Sequence, residues 1–279
     1  MTAKLLGSFI NNSPEWHQAR AGRIGGSDVG TIMGWNPWCS AYTLHWQKLG
    51  QLPAVETNSA MALGTALEAP IRDFFFTQNP SYELVETGNT YQDSNHADWI
   101  ANPDALIRDH AGRVGVLEIK HTSAYWDEIP KHYLAQVLWY CHIMDAEYAI
   151  IAAVTAGRYT EHHVRYADHL ETIAEITEAV ERFSLGLQME VPPQWDGSDS
   201  TYETVRTLSP GIIDAEINLG YLYVDLFAAK VIAEEAAKVF NAKKAETLAL
   251  MNGAQIGLFE GNPVIKLQAR NGKPFITFK

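Results

Sequence analysis

Apolar positions along the chain follow two rhythms, one of three to four residues and one of two, and the switches between them mark out the elements. Residues 14–20 open a short helix, with Ser13 as N-cap and Pro14 in the first turn. Ile24-Gly25-Gly26-Ser27-Asp28 leads into a second, capped by Ser27 or Asp28 and carrying Val29, Ile32 and Met33 on one face. Ala41 to Leu49 predicts a third helix, ended by Gly50. In residues 60–78, Leu63, Leu67, Ile71, Phe74 and Phe75 recur at helical spacing, and Pro70 should kink that helix or start it afresh. Residues 130–145 and the acidic stretch 167–188 complete the helices of this part.

The rhythm of two predicts a strand and turn over 82–92 and a hairpin over 99–120, with Asp109 to Gly112 as its turn. In the second arm Val114, Val116, Glu118 and Lys120 share one face, and Gly115, Leu117 and Ile119 the other. Both faces are apolar, so this strand should be central. Residues 147–155 are apolar on both faces as well, and a short strand follows from His162 to Tyr166. His162 and His163 point to opposite sides and receive no role.

Beyond Trp195 the pattern changes. Residues 196–209 are polar and read as a linker. A helical pattern then runs from about Ile212 to Met251, interrupted only by Gly220 and capped at Gly253. Its stripe of Ile217, Tyr221, Val224, Ala228, Val231 and Ala242 must pack on something. Asn271-Gly272 predicts a tight hairpin in the tail. The expected fold is α/β: a mixed central β-sheet flanked by helices over 1–195, a linker over 196–209, and a helix plus β-hairpin extension over 210–279. With no chemical constellation after about residue 205, that extension is expected to serve assembly or partner contacts.

Composition narrows the function. A net charge of −12 argues against a protein that coats nucleic acid. The excess is local: residues 61–160 hold 6 Lys+Arg against 13 Asp+Glu, and residues 161–200 hold 2 against 9. A DNA channel must therefore be confined. The two cysteines, Cys39 and Cys141, form neither a metal-spaced cluster nor a disulfide framework. No apolar run is long enough to span a bilayer, and the N-terminus lacks a signal-peptide core, so a soluble cytoplasmic protein is expected.

Within the hairpin, Asn102-Pro103-Asp104 precedes Glu118-Ile119-Lys120 by about a dozen residues. A carboxylate and an ammonium two residues apart on a buried strand are costly unless they serve each other or a ligand. Asp104 on the neighbouring strand can reach Glu118, and two converging carboxylates call for a divalent cation. Hard oxygen ligands and a lysine able to orient water suit a Mg²⁺-dependent phosphodiesterase.

This pattern resembles the core of the PD-(D/E)xK nuclease superfamily. The flanking motifs WHQAR (residues 16–20), IGGSD (24–28), GTALE (64–68) and YLAQVLWY (133–140) are similar to those of YqaJ/lambda-type phage exonucleases, in the same order over roughly residues 14–195. The resemblance implies a restriction-endonuclease-like core that hydrolyses double-stranded DNA from its ends, 5′ to 3′, leaving single-stranded overhangs for recombination. It implies Mg²⁺ (or Mn²⁺) held by Asp104, Glu118, the carbonyl of Ile119 and Glu68, with Lys120 positioning water. Arg20, Ser27 and Gln136, with Tyr140 beside Gln136, would face the DNA backbone. Asn102 stands where lambda-type enzymes carry serine. Relatives imply a trimeric ring and a single-strand annealing protein as partner. A repair endonuclease on the same core, or an inactive DNA-end-binding protein, are the alternatives.

Overall fold

The computed structural model describes residues 3–9, 13–53 and 56–278. In chain order these form β1 (Lys4–Ser8), α1 (Pro14–Arg20), α2 (Gly26–Ile32), α3 (Ala41–Lys48), α4 (Ser59–Gln78), β2 (Glu83–Thr87), β3 (Asn89–Gln92), β4 (Ile100–Ala101), β5 (Ala105–Arg108), β6 (Val114–Thr122), α5 (Lys131–Met144), β7 (Tyr148–Thr155), β8 (Arg158–Arg165), α6 (Leu170–Gln188), α7 (Asp199–Leu208), α8 (Tyr221–Met251), β9 (Ile256–Phe259), β10 (Asn262–Arg270) and β11 (Lys273–Phe278). They divide into two units, Met1–Pro210 and Gly211–Lys279.

The apolar run of β6 lies at the centre of a five-stranded mixed sheet, ordered β2-β5-β6-β7-β8. It pairs antiparallel with β5 and parallel with β7, as expected of a strand buried on both faces. The β5–β6 turn closes through Asp109, whose carbonyl accepts from Gly112 N–H at 2.9 Å, with Gly112 at φ +82°. Alternation along β6 sorts the core into two layers. Val116 packs with Leu106, Ala149, Ile151 and the buried face of α5. Leu117 and Ile119 pack with Ala105, Ile107 and Ile150 against Ile71 and Phe75 of α4. Burying a side chain of this size stabilises by roughly 1.5–3 kcal/mol.

A second sheet, ordered β1-β3-β4, brings Tyr91 and Trp99 into the α5 layer, where Trp139 Nε1 donates to the Ile100 carbonyl at 3.0 Å. The N-terminus of α2 rests directly on α5. A Cβ at Gly26 would come within 2.4 Å of the Tyr140 ring, so only glycine permits this approach of α2 to α5.

Several elements depart from expectation. Gly25, not Ser27 or Asp28, is the N-cap of α2, and Asp28 closes the cap from N3 by accepting from Gly25 N–H at 2.8 Å. Helix α4 runs through Pro70 as one assigned helix of 20 residues. Of its expected apolar face only Ile71 and Phe75 are buried, while Leu63 and Phe74 are exposed. The strand expected over 162–166 extends back to Arg158 because it pairs along the whole of β7. Most of the segment read as a linker is helix α7. Ser40, Thr43, Thr201 and Thr204 bury their hydroxyls between α3 and α7, and such residues read as loop when only apolar spacing is followed.

In the second unit, the helix starts at Tyr221 rather than Ile212, because Gly220 holds φ +56° and breaks the pattern. Asn252, not Gly253, is its left-handed C-cap. Met251 is buried and Phe240 lies 6.3 Å from Phe278, while Tyr221, Val224 and Val231 of the stripe are exposed. Asn271 and Gly272, at φ 51° and 73°, form the expected two-residue turn between β10 and β11.

Candidate active site

The register of the central hairpin assembles the carboxylates. Ala105 stands opposite Leu117, so Asp104, just before β5, lies level with Glu118 and Ile119 on β6. Asp104 Oδ2 accepts from Ile119 N–H at 2.6 Å, which fixes the carboxylate at the strand end. Glu118 is only 2% exposed. Its Oε1 accepts from Lys120 Nζ at 2.6 Å and from Gln136 Nε2 at 2.7 Å, and Gln136 Nε2 also donates to Tyr140 Oη at 3.0 Å. Gln136 and Tyr140, four apart on α5, share a helix face, and Gln136 Nε2 bridges the Glu118 carboxylate and the Tyr140 hydroxyl. Glu118 Oε2 is buried and has no hydrogen-bond partner. An unpartnered oxygen on a buried carboxylate is costly, and an arriving cation would satisfy it.

Charge around this oxygen is out of balance. Asp104 is held well above the usual carboxylate range, first by burial and then by Glu118 and Glu68. Glu68, half-buried on α4, is raised by burial and then by Glu118, against Arg72 and Lys120. For Lys120, burial favours the neutral amine, but Glu118 and Asp104 outweigh it and raise its pKa. Burial and Glu118 push the Tyr140 phenol well up. Three carboxylates thus share one ammonium, whose Nζ also lies 4.8 Å from the centre of the Tyr133 ring. Among the described residues no three His, Cys, Asp or Glu side chains form a ready-made metal cage. Lys120 occupies the Oε1 side of Glu118 instead.

The residues expected at phosphate also come together. Arg20 donates to Ser27 Oγ at 2.9 Å and to Asn102 Oδ1 at 3.2 Å, and its guanidinium lies 4.6 Å from the Trp16 ring centre. Asn102 in turn bonds the Thr90 hydroxyl. Asp28 Oδ2 lies 3.7 Å from Arg20 and 2.6 Å from Lys48 Nζ. Burial works to raise Asp28, but Lys48 and Arg20 outweigh it and hold its carboxyl low. A small cavity of about 30 Å³ is lined by Glu68 and Asp104 together with Trp16, Thr90 and Asn102, so two of the carboxylates border the same space as two neighbours of Arg20. Lys48 and Thr90 escaped the sequence reading. A lone lysine at a helix end and a threonine on a short strand carry no spacing signal.

Residues 15–148 match the YqaJ-like viral recombinase domain. An uncharacterised protein of Bacillus subtilis (strain 168), YqaJ, is 32% identical over 171 residues, 56% of this chain and 52% of the relative. The chain thus spans about half the length of that curated relative. Among solved structures, an alkaline exonuclease from Laribacter hongkongensis (LHK-Exo) is similar at TM-score 0.51 and 21% identity, covering 71% of this chain and 100% of that one. LHK-Exo in complex with dAMP gives TM-score 0.52 and 22% identity over 64% of this chain and 94% of that one. These likenesses establish that the chain shares the fold of that protein. No helix among the described residues is long and apolar enough to cross a membrane.

Proposed function

We propose, for a chain whose residues 15–148 match the YqaJ-like viral recombinase domain, that it is a divalent-metal-dependent exonuclease resecting linear duplex DNA 5′ to 3′. The observation that carries this reading is the bare, buried Oε2 of Glu118 among three carboxylates that share one ammonium. Asp104, Glu118, the Ile119 carbonyl and Glu68 would hold Mg²⁺. The bound ion supplies Lewis acidity at the scissile phosphate and an acidified water.

The rest of the chemistry belongs to the chain. Lys120, kept protonated by Glu118 and Asp104, donates to whatever lies beside Glu118 and orients an attacking water. Gln136 holds the Glu118 carboxylate in one orientation, its amide placed in turn by the Tyr140 hydroxyl. Arg20 presents a planar fork already positioned by Ser27 and Asn102, which suits a phosphate with two oxygens to share. A terminal 5′-phosphate carries more charge than an internal one, so this pocket would favour phosphorylated ends. Assembly as a trimeric ring, a role in assembly or partner contacts for the residues from about 205 onward, and handing of the overhang to an annealing protein complete the proposal.

The test is digestion of end-labelled linear duplex beside closed circular plasmid, with Mg²⁺ and with chelator. Release of mononucleotides from the linear substrate alone, only with metal, is the expected result. Cutting of closed circles would establish an endonuclease instead. Binding without hydrolysis would establish an inactive end-binding protein.

A further inference from the structure

The turn between α2 and α3 presents a tryptophan that the chemistry above does not use. Trp38 is 70% exposed, an expensive position for the largest side chain, and it is not loosely held. Its backbone N–H donates to Asn36 Oδ1 at 2.9 Å, and Asn36 Nδ2 donates to Thr31 Oγ1 at 2.8 Å, tying the turn to α2. The indole stands edge-to-face with His132, ring centres 5.3 Å apart. His132 lies 4.0 Å from the Tyr133 ring, and Tyr133 is the ring beneath Lys120 Nζ. A path of three rings therefore runs from the candidate water-positioning lysine to an exposed indole.

Two further features lie near that indole. His132 Nε2 is buried and has no hydrogen-bond partner. Lys131, exposed in the first turn of α5, pairs with no carboxylate among the described residues, and its Nζ lies 5.9 Å from the centre of the Trp35 ring. An exposed indole, with an ammonium that has no carboxylate partner over the neighbouring Trp35 ring and one residue from His132, is the kind of arrangement by which unpaired nucleic-acid strands are held, bases on rings and phosphates on cations. On its other side Trp38 borders a cavity of about 420 Å³ that Asp196 and Asp199 also line. Those carboxylates repel a phosphate backbone and leave the Lys131 side as its course.

The geometry points to Trp38 as a stacking site for an unpaired nucleobase at the mouth of the candidate active site, with Lys131 meeting the adjoining phosphate. It rests on the nuclease reading and adds a substrate form to it. The unpaired strand of a tailed or frayed end is gripped outside the carboxylate centre, and a fully paired end gains nothing there.

The test is fluorescence anisotropy of wild-type, Trp38→Ala, Trp38→Phe and Lys131→Ala protein, in Ca²⁺ to hold back hydrolysis. The probes are a blunt duplex, duplexes with a 3′ or a 5′ unpaired tail, and a free single strand. Base–aromatic stacking of ordinary strength corresponds to a loss of roughly five- to a hundred-fold in affinity for Trp38→Ala on tailed or single-stranded DNA. Trp38→Phe should restore most of it, Lys131→Ala should weaken the same probes with a steeper response to salt in wild type, and blunt duplex should change little. Thermal melting of each variant checks the fold. Equal affinity of wild type and Trp38→Ala on every unpaired probe, or an equal loss on blunt and tailed duplex, would overturn the stacking site, as would wild-type protein that binds no probe. Digestion of linear duplex by the same wild-type preparation separates the two readings. Failure to digest with intact tail binding sinks the nuclease and leaves the stacking site, and the reverse pattern does the opposite.

Discussion

Two polar clusters of the first unit are built on opposite principles. Between α3 and α7, Thr43 Oγ1 bonds Thr204 Oγ1 at 2.8 Å and the Ser200 carbonyl at 2.9 Å. Thr201 Oγ1 donates to Ser40 Oγ at 2.8 Å, and Asp196 accepts from Ser198 Oγ at 2.6 Å. The hydroxyls of this cluster are satisfied, and its one carboxylate is held low by bonds from Ser198 and Thr201, after burial is overcome. Around Glu118 the opposite holds. One buried oxygen has no partner, and Asp104 and Glu68 are pushed upward by burial and by Glu118. A polar cluster that closes on itself fastens helices together. One left open, with charge of one sign in excess, waits for a ligand.

That contrast can be broken by mutation. Glu118→Ala and Lys120→Ala should each lower single-turnover digestion roughly a hundred-fold or more, with duplex binding largely kept. Either variant retaining over about a tenth of the wild-type rate contradicts the open cluster as the reaction centre. Arg20→Ala comes next. A charge-assisted pair is worth about 1.5–3 kcal/mol, so digestion of 5′-phosphorylated duplex should slow roughly ten- to a hundred-fold, and that of 5′-hydroxyl duplex much less. Equal slowing would make Arg20 a general backbone contact.

The closed cluster should behave differently. Thr201→Val removes one hydrogen bond from Ser40 and one from Asp196, and at about 0.5–1.5 kcal/mol each chemical denaturation should show a loss of about 1–3 kcal/mol in stability with the cleavage rate unchanged. A change in rate without a change in stability would reverse the assignment. The smallest effect concerns pH. Asp104 has a raised folded pKa, so its contribution to stability is fully present below its unfolded value, about 3.9, and is lost as pH rises through the folded value. At neutral pH the ionised group is then a burden that a divalent cation relieves. Mg²⁺ should raise Tm at pH 7–8 by a few degrees, and the increment should shrink as the pH is lowered into the range where Asp104 protonates. A constant increment across that range would place the ion elsewhere.

Much of the open cluster was legible in the sequence, because a strand's period of two forces Glu118 and Lys120 onto one face and the hairpin turn brings Asp104 level with them. The same rule sorted Val116 from Leu117 and Ile119, and those layers are observed. The closed cluster was not legible. Its helix α7 is anchored by Ser and Thr hydroxyls rather than by apolar spacing, and a polar stretch after Trp195 reads as a connection. The Lys48–Asp28 pair was hidden for a related reason, since a salt bridge between residues 20 apart depends on how two helices fold back on each other. Gly220 marked the interruption in the long helix, but its positive φ, which moves the start to Tyr221, emerges only from the backbone.

The Glu118 cluster is short of positive charge, and calorimetric titration of Mg²⁺ or Mn²⁺ into the DNA-free protein measures that shortage without any cleavage step. Wild type should show saturable binding that Glu118→Gln abolishes or weakens at least ten-fold, while Thr201→Val binds as wild type does. Metal binding unchanged by Glu118→Gln, or absent from wild type altogether, would contradict the claim.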